Sequence, residues 1–126
     1  MMKRIVISFI LMAGSMGCAR YLDVAVDSPS IEGDTAVFRY HSPAASTVQV
    51  SGDWNNWGRG EVESGEVLTG LMERKEGGSW ELAVKLPPGR YRYRFVIDEA
   101  QTVLDPENPR VVNDRWGGKA SLLIMP

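Results

Sequence analysis

Residues 90–98, RYRYRFVID, alternate without a break: Tyr91, Tyr93, Phe95 and Ile97 fall on one side of an extended chain, Arg90, Arg92 and Arg94 on the other. One side is aromatic and aliphatic, the other carries charge, so the segment reads as a strand with one buried face. SWELAVKL (79–86) repeats the pattern, with Trp80, Leu82, Val84 and Leu86 in phase, and PPG between the two segments is a sharp turn. Half-buried strands of this kind belong to a sheet protein, whose apolar faces need a second layer to cover them.

The rest of the chain supplies that layer. TAVFRYH (35–41), TVQVSG (47–52), VLTGLMERK (67–75), TVLD (102–105) and ASLLIMP (120–126) are short strand-like runs. SPAAS, the polar stretch GRGEVESGE, EGG, PENP and RWGGK separate them as turns and loops, and no long helical period appears. Seven or eight short antiparallel strands at this spacing predict an all-β fold, a β-sandwich of Ig-like architecture without the Cys…Trp…Cys pattern. Residues 34–126 form the expected domain. Residues 18–33 read as a tether that holds at most one short strand, YLDVAV.

Residues 1–17 are a different material. MMKR is basic, IVISFILMA is apolar but far shorter than the roughly 20 residues of a membrane span, and small residues follow. This is the pattern of a secretory signal. The chain's single cysteine, Cys18, closes it, so no disulfide can form within the chain. SMGC resembles a bacterial lipobox, in which the cysteine becomes the lipidated first residue of the mature protein. Gly17 fits, whereas Ser15 and Met16 depart from the usual residues. The competing reading is an ordinary cleavage after Ala19. The lipobox reading places the protein in the bacterial cell envelope, held by a lipid, and Ala19 after the cysteine resembles the pattern that sorts to the outer membrane.

Catalytic signatures are sparse. His41 is the one histidine and stands at a strand end beside Ser42-Pro43, where a solvated role is the plain reading. No metal cluster can be assembled from one histidine and one cysteine, and nucleophile-elbow and phosphate-loop motifs are absent. Glu61, Glu63 and Glu66 share one polar stretch and read as a solvated face rather than a glycosidase pair. A formal net charge of −2 without a basic run excludes a nucleic-acid binder. No enzyme, cofactor or metal is expected.

What remains is aromatic. SGDWNNWGRG (51–60) places Trp54 and Trp57 three apart in a Gly- and Asn-rich turn. Turns seldom carry two indoles. Either both belong to the core and the arginines are a solvated face, or one indole plugs the sandwich and the other is presented outward. An exposed indole offers the flat apolar surface on which the C–H face of a pyranose stacks. Asn55, Asn56, Arg92 and Arg94 would then meet its hydroxyls.

Taken together, SGDWNNW, GGSWELAVKLPPGRYRYRFVID and LDPENP, in that order and spacing, resemble the glycogen-binding domain of the AMP-activated protein kinase β-subunit and the early-set domain of isoamylases and branching enzymes, family 48 of the carbohydrate-binding modules. The resemblance covers about residues 34–126. It implies an early-set β-sandwich and a glucan-binding face. By position, Trp57 matches a sugar-stacking tryptophan and Arg94 a sugar-contacting lysine. Trp116 matches, loosely, a leucine that projects through a sugar ring, and Trp54 matches a buried aromatic. A second stacking tryptophan is missing, with Gln101-Thr102-Val103 in its place, and a contacting asparagine falls on Ala120 or Ser121.

The expected ligand-binding set is therefore Trp57, Arg94, Trp116, Asn56 and Arg92, for an α-glucan or related oligosaccharide. The rival expectation is an envelope protein–protein interaction module with a degenerate sugar site, in which Trp57 and Trp116 anchor an interface.

Overall fold

The computed structural model describes residues 29–62 and 65–126. The leader, Cys18 and YLDVAV lie outside them. Within the described residues the chain forms eleven strands: β1 (Ser30–Glu32), β2 (Thr35–His41), β3 (Val48–Gly52), β4 (Arg59–Val62), β5 (Gly65–Leu68), β6 (Glu73–Arg74), β7 (Ser79–Lys85), β8 (Gly89–Ile97), β9 (Gln101–Val103), β10 (Val111–Asn113) and β11 (Lys119–Met125). One sheet runs β1-β2-β7-β6 and the other β10-β11-β8-β3, every pairing antiparallel. The fold is the Ig-like β-sandwich expected.

The alternation of β8 decides how the layers meet. Tyr93 and Phe95 are buried, and they pack with Ala36 and Phe38 of β2, Trp80 of β7, Val48 and Val50 of β3, and Leu123 and Met125 of β11. One edge of β8 pairs with β3. The other is shared, with β11 along Gly89–Tyr93 and β9 along Phe95–Ile97. The LDPENP segment leaves the sheet where that edge changes hands. Its Asp105 and Asn108 are buried there, and hydrogen bonds account for both. The Tyr93 hydroxyl donates to Asp105 Oδ2 (2.6 Å), Asn108 Nδ2 donates to Tyr93 Oη (3.0 Å) and to the Leu122 carbonyl (2.9 Å), and the Asp105 amide donates to Ser121 Oγ (2.9 Å). Burial, then the adjacent Asp105 carboxylate, pushes the Tyr93 phenol far above its ordinary pKa.

Two readings of the sequence are corrected. GRGEVESGE is not a loop: β4 and β5 form a two-stranded hairpin that takes up most of it and runs on to Leu68, opposite Arg59. VLTGLMERK is not one strand. It ends β5 at Leu68, reverses at Gly70 (φ +79°), bridges Gln49 at Leu71 and joins the other sheet as β6. A Cβ at Gly70 would collide with the Val50 carbonyl oxygen, so the crossing needs glycine. Between the PENP and RWGGK loops, Val111–Asn113 contributes edge strand β10. β1, which pairs with β2, falls in the stretch read as a tether.

Candidate functional site

The two indoles of SGDWNNWGRG go to opposite sides of the β3–β8 sheet. Trp54 packs between the layers, stacked on Phe38 (5.4 Å, 21°) and edge-on to Tyr91 (6.0 Å). The backbone between the indoles is held by Asn55. Its Oδ1 accepts from the amides of Gly52 (2.9 Å) and Gly58 (3.1 Å), and its Nδ2 donates to the Val50 carbonyl (2.8 Å). Asn56 and Trp57 then both take left-handed conformations, φ 53° and 55°. Asparagine tolerates this region; for tryptophan it is strained by about 1 kcal/mol or more. The reversal delivers Trp57 to the outer face of the five-stranded sheet.

There it meets Arg94 and Trp116. The Arg94 guanidinium lies over the Trp57 ring (5.1 Å to the centroid) and over Trp116 (5.9 Å), and the two indoles touch edge to face, 5.1 Å apart at 83°. Trp116 is 57% exposed and carries Arg115 against its ring. These groups wall a cleft of about 490 Å³ whose floor is buried Gln49 and Ser51 with half-buried Arg94, and Arg59, Leu68, Val96, Glu99 and Thr102 complete its lining. Two nonparallel aromatic walls over a polar floor suit a ligand with apolar faces and hydroxyl edges.

Asp114, in the loop between β10 and β11, organises one side. Its Oδ1 accepts from the amides of Trp116 and Gly118 (both 2.7 Å), and its Oδ2 binds Arg94 Nη1 (2.9 Å). The carboxylate is buried, 2% exposed, while the Arg94 side chain retains 24%. The Gly118 amide above all, with the Trp116 amide and the positive charge of Arg94, holds the Asp114 carboxyl below the usual carboxylate range, against the opposing effect of burial.

The structure thus gathers Trp57, Arg94 and Trp116 into one cleft. It does not bring the other two expected residues there. Arg92 chelates Asp53 through Nε (3.1 Å) and Nη2 (3.2 Å) and lines a second, smaller cleft with Arg90, Val112, Asn113 and Leu122. Asn56 is exposed beside the cleft, and its part is conformational. Ala120 and Ser121 are both fully buried, so neither replaces the missing asparagine. Thr102 lines the cleft in the stretch where the second tryptophan is missing. Sequence reasoning overlooked Asp114, although an Asp four residues before a glycine in DRWGG is a turn signal. It also overlooked Gln49, whose amide is held by the carbonyls of Gly58 and Thr69 (2.8 and 2.7 Å).

A family model described as the glycogen recognition site of AMP-activated protein kinase matches residues 35–123. Among solved structures, the maltogenic amylase from S. marinus is similar with a TM-score of 0.58 at 23% identity, and the pullulanase from Bacillus acidopullulyticus with 0.55 at 19%. The matches cover 73% and 79% of this chain but 13% and 12% of those enzymes, so the likeness is one of fold and is confined to a small part of each. No curated protein matches the chain.

Proposed function

Because the chain belongs to the family of the glycogen recognition site of AMP-activated protein kinase, we propose that it binds α-glucan chains without acting on them. The observation that carries this reading is the cleft in which Trp57 and Trp116 meet at 83° around Arg94. A glucose ring stacks its C–H face on Trp57, Trp116 covers a neighbouring ring, and Arg94 with the polar floor meets the hydroxyls. Trp116 takes up the stacking for which the chain lacks the second family tryptophan. A shallow site of this kind binds in the micromolar to millimolar range, about −8 to −4 kcal/mol.

The basic, apolar and small-residue succession of residues 1–17 and the lipobox-like SMGC support a further proposal. The protein is exported, acylated at Cys18 and displayed on the bacterial envelope, where it holds glucan near the membrane.

The test is a tryptophan fluorescence titration with β-cyclodextrin and maltoheptaose. A saturable change that disappears in a folded Trp57→Ala variant is the expected result. Binding that survives in that variant removes Trp57 from the site. Silence of the unmodified protein up to roughly ten millimolar, beyond the weak end of the expected range, overturns the glucan reading in favour of a protein-interaction module.

A further inference from the structure

We propose that Asp114 is the positioning residue of the cleft and sets its preference for uncharged sugars, an inference that rests on the glucan reading for its second half and on geometry alone for its first. The two oxygens of one buried carboxylate act on two different elements. Oδ1 holds the backbone amides of Trp116 and Gly118, which fixes the loop that carries the exposed indole. Oδ2 holds the guanidinium of Arg94 on β8, the group that lies over both indole rings. The angle between Trp57 and Trp116 is therefore not set by contact between the rings, a weak interaction of about 0.5–1.5 kcal/mol. It is set by a carboxylate that ties the loop to the strand beneath it.

The same contact fixes the charge of the floor. An unpaired arginine under two indoles would attract anions and bind sulfate or carboxylate with its planar fork. Paired with Asp114 at 2.9 Å, Arg94 presents stacking surface and remaining donors with its charge balanced. A neutral, hydroxyl-rich ligand fits that pairing, and an anionic glycan gains nothing from Arg94. Arg59 and Glu99 on the cleft and Arg115 beside Trp116 are common to the protein and its Asp114 variant, so a ratio of affinities isolates the pairing.

Two measurements on the full chain test this. The first needs no ligand: the four indole Nε1–H resonances are followed in Asp114→Asn, which keeps the side-chain shape but loses the charge. They are also followed in Gly118→Ala, whose Cβ would stand 2.9 Å from Asp114 Oδ2 and crowd the Arg94 contact. Trp116 and Trp57 are expected to move toward solvent-like shifts while Trp54 and Trp80, which report the core, stay in place. Unmoved Trp116 and Trp57 resonances in both variants overturn the positioning role. The second compares β-cyclodextrin with sulfated β-cyclodextrin at low salt. The ratio of affinities is expected to swing at least about tenfold toward the sulfated probe in Asp114→Asn, a change that a merely structural loss would not produce. An unchanged ratio in the folded variant overturns the selectivity role. If the unmodified protein binds neither probe while the resonances respond, the glucan reading falls with the selectivity half, and the positioning half stands.

Discussion

At the scale of single residues, the molecule separates polar side chains that hold the fold from those that face a ligand. Tyr93 is of the first kind. Replacing it with Phe takes the donor from Asp105 Oδ2 and the acceptor from Asn108, both buried. The expected loss is about 1–3 kcal/mol, read as a lower urea midpoint at unchanged slope. Because the folded phenol titrates above its unfolded value of about 10, its stabilisation is complete below that pH and declines as the pH rises beyond it. Asp114 has the opposite sign. Its folded pKa is depressed, so its contribution is present above the unfolded value of about 4 and fades as the pH falls further, through the folded value. In an acid titration the Trp116 indole resonance should shift before those of Trp54 and Trp80. Simultaneous movement of all four would show that the loop has no acid transition of its own.

At the scale of elements, legibility in the sequence followed the presence of a buried face. β7 and β8 could be read because their alternate residues point into the core, Trp80 with Tyr93 and Phe95. The β4–β5 hairpin could not, since RGEV and GEVL show no clean apolar-polar alternation and the turn residues around them look like loop. VLTGLMERK failed for a different reason: an apolar run says nothing of which sheet each part joins, and a positive φ at Gly70 divides it. Gly70→Ala should therefore act on topology rather than propensity. The added Cβ meets the Val50 carbonyl and Asn55 Nδ2, the group that anchors the Trp57 turn. A loss of about 2 kcal/mol or more is expected from strain and steric overlap together. Trp57 fluorescence should change in the folded fraction. A variant with an unaltered urea midpoint would mean that the crossing can relax around a side chain.

At the scale of the whole molecule, the five-stranded sheet has two uses, and its tryptophans divide between them. The inner side and its closing plug, Trp54 against Phe38 and Tyr91, belong to the sandwich. The outer side, with Trp57, Arg94 and Trp116, makes little of the core. Half of this division is legible in the sequence. The position of Trp54 in the motif points inward and that of Trp57 outward, but the contact between Trp57 and Trp116 joins residues far apart in sequence, and no local pattern encodes it. Nor does the pattern of β8 show that Arg92 and Arg94, identical in type and two apart, are claimed by different acids, Asp53 and Asp114. Such a division requires stability and binding to respond to different indoles. Trp54→Ala should lower unfolding stability by about 3 kcal/mol, a large share of what a domain of this size has. The double replacement Trp57→Ala/Trp116→Ala should abolish the cyclodextrin response yet leave the urea midpoint within about 1 kcal/mol. Trp116 keeps 57% of its surface exposed, and Trp57, though half-buried, packs on Trp116 and Arg94 rather than on the core. Removing both therefore forfeits little core burial, and relief of the left-handed strain at position 57 offsets part of that cost. A double variant as destabilised as Trp54→Ala would make the outer aromatic pair part of the core, and the cleft would lose its standing as a separate surface.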